Sequence, residues 1–359
     1  MKIGIFSPYL DSLGGGEKYI LTLALCLLEN NNVSLFWNPS QASEIKKNAE
    51  KKFGFDLSTV SFTNNIFSPT ISLMTRVLQA RKYDRIIYLS DGSLPFLLGK
   101  KIIVHFQFPV EWVNGKNIKT RIKKLVGIKD VICNSLFTQT YIDKTFNVKS
   151  LLVYPPVEMI EQGAINKENI ILNVGRFGNY GRGSSFKRQD FLAEAFEKMV
   201  KNGLSDWKLV FVVSTRKEDE PSLQRFMQKT GKLPIEFVQN PNNETLKRFY
   251  KKAKIYWHAA GYGQDLQKHP ERAEHFGIAT VEAMSAGAVP IVIAAGGQKE
   301  IVEHNKNGFL WETQDELISN TWSVIKDDKI FQKLSSEAIM RANHFSVDIF
   351  CKKVNDILS

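Results

Sequence analysis

Short apolar runs alternate with longer amphipathic segments along the first half of the chain. Each run is bounded by polar or turn residues, a pattern typical of strands in a parallel sheet covered on both faces. The segment 17–28 has a broad apolar face, as expected for a helix packed on such a sheet. The strands predicted in this half are 2–6, 33–37, 60–62, 85–89, 102–106 and 131–133.

The same alternation starts again after Pro155 and Pro156. It predicts strands at 170–174, 208–213, 235–238, 255–257 and 289–294, and helices at 188–200, 221–229, 243–252 and 278–286. A length of 359 residues also suits two domains better than one. We therefore expect two doubly wound α/β domains, with a ligand cleft between them at the carboxyl ends of the strands.

Composition places the chain among ordinary globular proteins. Hydrophobic residues make up 43% of it and charged residues 24%, which excludes a disordered tail protein and a fibrous repeat. The cysteines Cys26, Cys133 and Cys351 stand far apart and form no CxxC pair. This spacing predicts neither a disulfide framework nor a cysteine zinc site, and it favours a reducing compartment. No bilayer-length apolar stretch and no signal peptide is recognised, so we expect a cytoplasmic protein.

Basic residues are concentrated in the first half. Residues 1–155 contain 20 Lys and Arg against 11 Asp and Glu, which is +9 of the net charge of +11. The segment 116–126 places apolar residues at helical spacing among Lys119, Arg121, Lys123 and Lys124. This pattern fits a basic helix lying on an anionic membrane, and equally a surface helix whose apolar stripe faces the core.

A run of glycines, Gly14-Gly15-Gly16 followed by Glu17, lies between the first strand and the first helix. Glycines let the backbone approach a ligand closely, and a helix N-terminus attracts phosphate. The run matches neither GxGxxG nor a P-loop. Taken alone, it fits a tight turn as well as a ligand-binding loop.

Two glutamates, Glu274 and Glu282, stand eight positions apart across a loop-to-helix junction. The N–H groups of Phe276, Gly277 and Ile278 would be free at the helix start and could hold a polar or anionic ligand. A carboxylate one turn further on can accept two hydroxyls of a ribose. Ordinary helix capping with a surface salt bridge explains the same spacing.

Several motifs, in the same order along essentially the whole chain, resemble family 4 of the glycosyltransferases. EHFGIATVEAMSAGAVPIV at 274–292, followed by GGQKEIV, is similar to the donor-site signature of that family. GGGE at 14–17 is similar to its glycine loop, and NVGRF with KRQDFLAEAF to its arginine–lysine diphosphate clamp. VHFQFP, NSLFT, VYPPV and EHFGI look most like the mannosyltransferases that build lipid-linked oligosaccharides and their bacterial relatives.

The resemblance implies an α/β fold of the GT-B type, with two Rossmann-like doubly wound domains facing a cleft. Residues 1–155 would bind the acceptor, residues 156–340 the nucleotide sugar, and 341–359 would form a helix packing back on the N-terminal domain. The implied activity is retaining, metal-independent transfer of a hexose from a nucleoside-diphosphate sugar to a hydroxyl of a glycan or lipid-linked acceptor. No cofactor and no nucleic acid are expected. Peripheral contact with the inner face of an anionic membrane is expected.

The resemblance also assigns roles to residues. Arg176 and Lys187 would neutralise the diphosphate, whose charge grows in the transition state. Glu274 and His105 would meet the donor sugar, and Glu282 the ribose. The implied catalytic residues are His105, Arg176, Lys187 and Glu274. The implied donor-binding residues are Gly15, Gly16, Arg176, Lys187, His258, Phe276, Gly277, Ile278 and Glu282.

The chain departs from the family pattern ahead of Lys187. Ten residues separate Arg176 from Lys187, and the glycine-rich insert 178–185 contains Arg182. Either Lys187 or Arg188 could therefore be the second diphosphate cation. Arg182 would fold over the donor or belong to a plain surface loop. His258 would line the donor pocket or brace the loop of Glu274.

Other functions compatible with the pattern are a sugar-nucleotide epimerase, a glycogen-type synthase and a non-catalytic sugar-nucleotide sensor. The spacing of the two glutamates and the lack of a recognised cofactor-lysine motif argue against the first two. The basic net charge is also compatible with a nucleic-acid-binding protein. The sequence lacks the basic residues interleaved with stacking aromatics that such a protein would use.

Overall fold

The computed structural model describes residues 1–11, 14–92, 102–110, 128–161, 163, 165–178 and 187–358. Contacts within the chain divide it into two units. The first unit comprises Met1–Pro156 and the C-terminal segment from Val347, and the second comprises Val157–Ser346. The predicted division falls at 155/156, with the C-terminal segment starting at 341.

The first unit is built on a parallel sheet of seven strands, in the order β3-β2-β1-β4-β5-β6-β7. The central strands β4 and β5 are buried along their whole length, because helices cover both faces of the sheet. The strands are β1 Lys2–Phe6, β2 Asn32–Phe36, β3 Ser61–Thr63, β4 Arg85–Ser90, β5 Ile102–Phe106, β6 Ile128–Cys133 and β7 Leu151–Leu152. The helices are α1 Gly15–Leu28, α2 Ala42–Phe53, α3 Leu73–Ala80 and α4 Leu136–Phe146.

The second unit repeats this arrangement with six parallel strands, in the order β10-β9-β8-β11-β12-β13. The strands are β8 Glu168–Arg176, β9 Lys208–Ser214, β10 Ile235–Gln239, β11 Ala253–His258, β12 Val289–Ile293 and β13 Phe309–Trp311. The helices are α5 Gln189–Lys201, α6 Glu220–Thr230, α7 Asn243–Lys252, α8 Ile278–Ser285, α9 Gln298–Ile301, α10 Gln314–Lys326 and α11 Asp328–Ala342. Both sheets have the doubly wound order that the sequence predicts.

The order of the second sheet places a topological switch point between β8 and β11. The chain continues from β8 to β9 on one side and from β11 to β12 on the other. In doubly wound sheets ligands bind at such a point, outside the carboxyl ends of the strands. Arg176 ends β8 and His258 ends β11, so both lie at that edge.

The C-terminal helix α12, Val347–Leu358, packs on α1 in the first unit. A disulfide joins Cys26 on α1 to Cys351 on α12, across 325 positions of the sequence. The expectation that no disulfide forms is therefore wrong, because distance along the sequence does not limit which helices pack together. The cysteines therefore no longer support the prediction of a reducing compartment. Cys133 is buried and carries a free thiol.

Apart from the disulfide, apolar packing holds α12 in place. Phe350, Val354 and Leu358 are buried in the cluster that α1 and the first sheet form.

Within the described ranges, no helix is long and apolar enough to cross a bilayer.

Candidate functional site

The centre of the candidate site is a group of three side chains at the carboxyl edge of the second sheet. Lys187 Nζ lies 2.6 Å from Glu274 Oε2, and His258 Nε2 lies 3.0 Å from the same oxygen. Lys187 lies two residues before the first residue of α5. His258 is the last residue of β11, and Glu274 lies in the loop before α8. Three predicted site residues, distant in sequence, are thus brought together.

The electrostatics of this group fix its protonation states. Burial by itself raises the pKa of Glu274, but the Lys187 ammonium and the His258 ring outweigh it and hold that pKa well below its usual range. Burial lowers the pKa of His258 in spite of the neighbouring carboxylate, so the ring is neutral at pH 7. Since a carboxylate only accepts, the Nε2 of His258 carries the proton and donates it to Glu274. His258 therefore braces Glu274, one of the two alternatives that its position left open.

Arg188 has a different set of partners. Its backbone is left-handed, with φ of +54°, and its Nη1 donates to the Tyr262 carbonyl at 2.6 Å. The guanidinium also pairs with Asp190 and lies over the ring of Phe191. These contacts attach the start of α5 to the loop after β11. Of the two neighbouring cations, only Lys187 contacts Glu274 among the described contacts.

The loop that carries Glu274 is fixed by two glycines, Gly296 and Gly297, which lie between β12 and α9. Gly297 donates its N–H to the Glu274 carbonyl at 2.8 Å. A Cβ at Gly296 would lie 2.2 Å from that carbonyl oxygen, and one at Gly297 would lie 2.4 Å from Phe276 Cα. A side chain at Gly296 would displace the Glu274 backbone, and one at Gly297 would displace that of Phe276. The Gly-Gly pair after β12 is therefore a structural part of the site.

The start of α8 follows directly. Gly277 is the N-cap residue, with φ of +125°, a conformation that residues with a Cβ rarely adopt. The first N–H groups of α8, beginning with Ile278, have no intrahelical acceptor, as at any helix start. Phe276 is buried against Phe345, which anchors the turn. The predicted donor residues Phe276, Gly277 and Ile278 thus form one rigid turn beside Glu274.

Glu282 lies on α8, one turn beyond Ile278. Its Oε2 accepts a hydrogen bond from the Tyr250 hydroxyl at 2.9 Å. Tyr250, on α7, is buried, whereas Glu282 is partly exposed. Sequence reasoning did not identify Tyr250, because only helix packing brings it to Glu282 across 32 positions.

Arg176, the other predicted diphosphate cation, is the last residue of β8 and is exposed. The side-chain amide of Gln189 donates to its carbonyl at 3.1 Å, so the end of β8 is tied to the start of α5. Arg176 is therefore attached to the element that Lys187 precedes, at the carboxyl edge of the second sheet.

The predicted site residues of the first unit are placed differently. His105 is only 1% exposed and stacks on Tyr19, with ring centroids 4.4 Å apart. Neither ring nitrogen has a hydrogen-bond partner among the described residues, and burial lowers the pKa of His105 to about 3. The ring lines an apolar cavity that α12 closes. A role of His105 at a donor sugar stays a prediction.

The glycine run begins α1. Gly14 is the N-cap residue, and its N–H donates to the Glu17 carboxylate at 2.6 Å. A Cβ at Gly16 would lie 2.5 Å from Gln107 Oε1, so the absence of a side chain allows a close approach there. Ligand binding by Gly15 and Gly16 stays a prediction. Arg182 and the basic segment 116–126 lie outside the described residues.

Comparison with known proteins identifies the family of the chain. A family model described as "Glycosyl transferases group 1" matches residues 157–341. An uncharacterized glycosyltransferase of Haemophilus influenzae is 23% identical, with 99% of each chain covered. A protein of Xenopus laevis named GDP-Man:Man(3)GlcNAc(2)-PP-Dol alpha-1,2-mannosyltransferase is 27% identical over 69% of this chain, and the match spans 50% of that protein's length.

Solved structures agree on the fold. Anabaena HepE in complex with UDP superposes with a TM-score of 0.74 at 18% identity, covering 100% of this chain and 99% of that one. A glycosyltransferase from Rickettsia africae gives a TM-score of 0.74 at 16% identity, covering 99% and 97%. These neighbours are GT-B glycosyltransferases, and the predicted fold class is confirmed.

Proposed function

The chain belongs to the group 1 glycosyl transferases, and we propose that it transfers a hexose from a nucleoside-diphosphate sugar to a hydroxyl with retention of configuration. The observation that carries this proposal is the contact between Lys187 and Glu274 beside the N-terminus of α8. It puts a cation and a carboxylate next to the turn from which the first backbone N–H groups of α8 begin.

Each part of the donor has a matching group. The Lys187 ammonium and the Arg176 guanidinium take the two phosphates, and their charge becomes more favourable as the diphosphate leaves. The first N–H groups of α8 add the positive end of a helix dipole. Glu274 accepts hydroxyls of the hexose, and Glu282 accepts hydroxyls of the ribose. In this scheme two fixed cations perform the charge neutralisation, and the transfer is metal-independent.

The acceptor proposed is a hydroxyl of a glycan or lipid-linked glycan. The support is the name of the Xenopus relative, which specifies a dolichol-linked oligosaccharide acceptor. Retention fits departure of the diphosphate from the same face that the acceptor approaches, with a phosphate oxygen taking the acceptor proton. Donor binding by Gly15, Gly16 and His105 of the first unit remains part of the proposal.

We also propose peripheral contact with an anionic membrane, which places the enzyme at the inner face of the membrane in the cytoplasm. Helix α3 supports it: Leu73, Met74 and Leu78 are 50%, 77% and 56% exposed. No acidic residue occurs between Asp56 and Asp84, whereas Arg76, Arg81 and Lys82 do. Exposed apolar side chains with cations and without acids suit a surface of anionic lipid.

The membrane proposal is tested by co-sedimentation with phosphatidylglycerol vesicles and with neutral vesicles. Replacing Met74 and Leu78 by serine should lower binding to the anionic vesicles, whereas Met340→Ser, at a residue 54% exposed in the second unit, should not. Equal binding to both kinds of vesicle would contradict the proposal.

The catalytic proposal is tested by a thermal-shift series with UDP, GDP, ADP and their sugars. A ligand that binds only the folded state raises Tm by mass action. One nucleotide sugar should raise Tm and should then be turned over with release of its nucleoside diphosphate in the presence of EDTA. Binding without turnover in the presence of any acceptor would favour a non-catalytic sensor, and activity that requires a divalent metal would contradict the metal-independent scheme.

A further inference from the structure

Tyr250 is not among the residues that contact the donor in the proposed function, but it is hydrogen-bonded to one of them, Glu282. Tyr250 is 1% exposed, and its hydroxyl donates to Glu282 Oε2 at 2.9 Å. Among the described contacts this is the only hydrogen bond of that hydroxyl. A buried phenol with one partner is arranged for that partner, since leaving a buried hydroxyl unpaired is costly.

We propose that Tyr250 is a positioning residue, which holds the Glu282 carboxylate in the orientation that accepts ribose hydroxyls and so makes the site selective for ribonucleotides. This inference rests on the proposed function, in which Glu282 meets the ribose. Tyr250 itself does not touch the ligand. It acts by restricting one torsion of a residue that does.

The physical reason is the freedom of a glutamate side chain. The last torsion of glutamate has a broad, roughly two-fold profile, so a partly exposed carboxylate has no fixed plane of its own. A hydrogen bond from a buried, rigid phenol to one oxygen selects one plane. The cost of ordering the carboxylate is then met during folding and not during ligand binding.

Tyr250 remains a donor at neutral pH. Burial raises its pKa well above the ordinary value, and the Glu282 carboxylate raises it further. Each carboxylate oxygen has room for more than one donor. Oε2 can therefore keep its bond to Tyr250 while the carboxylate accepts a ribose hydroxyl.

The two helices are held together independently of this hydroxyl. Lys167 Nζ donates to the carbonyls of Tyr250 at 3.4 Å, Ala253 at 2.8 Å and Ala286 at 2.6 Å. These carbonyls lie at the C-terminal ends of α7 and α8. Removing the Tyr250 hydroxyl should therefore leave the backbones in place and remove only this one restraint on the carboxylate.

Calorimetric titration of Tyr250→Phe tests the inference. The probes are the nucleoside diphosphate that the thermal-shift series selects and its 2′,3′-dideoxy form. The wild-type protein should prefer the ribonucleotide. Tyr250→Phe should weaken ribonucleotide binding about 3- to 10-fold, as for one neutral hydrogen bond, and leave dideoxy binding unchanged.

Tyr256→Phe is the matched control. Tyr256 is equally buried, its hydroxyl lies 3.5 Å from the Val174 carbonyl, and it also interacts with Thr280 on α8, but it makes no described hydrogen bond to Glu282. If the substitution loosened α8 in general, the affinities of Tyr256→Phe for the ribonucleotide and the dideoxynucleotide would fall equally. The preference for the ribonucleotide should be kept. In a Glu282→Ala background, Tyr250→Phe should have no further effect on the preference.

The outcomes separate the two levels of the account. If the wild-type protein binds none of the nucleoside diphosphates, the proposed function fails and the inference with it. If the wild-type protein binds ribonucleotide and dideoxynucleotide equally, the assignment of Glu282 to the ribose is overturned. If the wild-type protein discriminates and folded Tyr250→Phe discriminates equally well, the positioning role of Tyr250 is wrong while the proposed function stands.

Discussion

The Lys187 ammonium and the Glu274 carboxylate lie 2.6 Å apart, although 87 positions separate them in the sequence. Their meeting brings the start of α5 against the loop before α8. The Lys187 ammonium and the His258 ring together keep the Glu274 carboxylate ionised, and the ionised carboxylate holds Lys187 at a defined place. A cation fixed in advance costs no reorganisation when charge develops on a leaving group.

Lys187→Ala should lower kcat roughly 10²-fold or more, because an aimed positive charge is lost in the transition state. Arg188→Ala should instead lower stability, because Arg188 ties the start of α5 to Tyr262 and Asp190. Steady-state kinetics and thermal melts of both variants check this. A nearly silent Lys187→Ala beside an inactive, well-folded Arg188→Ala would make Arg188 the diphosphate cation.

Glu282→Ala should weaken binding of the nucleoside diphosphate by about 1.5–3 kcal/mol, the usual worth of a hydrogen bond to a charged group. The reason is the loss of the carboxylate that accepts the ribose hydroxyls. Calorimetric titration measures it. Unchanged affinity for the bare nucleoside diphosphate would contradict the ribose assignment.

His105 should make the first unit sensitive to acid. Its pKa is about 3 when folded against an ordinary value of 6.5, because burial disfavours the charged ring. Between these values the unfolded chain binds the extra proton, so stability is complete above pH 6.5 and falls as the pH drops toward 3. His105→Phe should remove about 2 kcal/mol of this loss at pH 5. Denaturant unfolding at pH 7 and pH 5 checks it, and parallel losses in both proteins would contradict it.

Lys167 should give a pH dependence of the same direction in a higher pH range. Burial lowers its pKa to about 7 from 10.5, so between these values the unfolded chain binds more protons than the folded one. Wild-type stability should therefore rise with pH from 7 toward 10 relative to Lys167→Met, by at most about 1.4 kcal/mol per pH unit. Denaturant unfolding across that range measures the difference. A difference that does not change with pH would contradict the assignment.

The sequence predicts those features that depend on local pattern. The strand at 102–106 and the helix at 243–252 occupy the predicted residues, because a buried strand and an amphipathic helix each leave a short-range signature. The segment around Glu274 is also a loop-to-helix junction, as the sequence predicts. The sequence analysis does not predict α3, whose residues Leu73, Met74 and Leu78 are exposed.

Features that depend on packing between distant segments could not be predicted. The bond from Tyr250 to Glu282 and the disulfide between Cys26 and Cys351 exist only because two helices pack together. The burial of His105 can be predicted from the sequence only in part. It shares a strand face with Ile103, so the period of two already indicates an inward ring, but only α1 and α12 make that face the core.

The central claim is that Lys187 binds the diphosphate of a nucleotide donor. The most direct test compares the affinities of wild-type protein and Lys187→Ala for a nucleoside, its monophosphate and its diphosphate, with the base that the thermal-shift series selects. The wild-type protein should bind the diphosphate most tightly. Lys187→Ala should lose about 10-fold or more for the diphosphate and almost nothing for the nucleoside. An unchanged ratio of diphosphate to nucleoside affinity in Lys187→Ala would contradict the account.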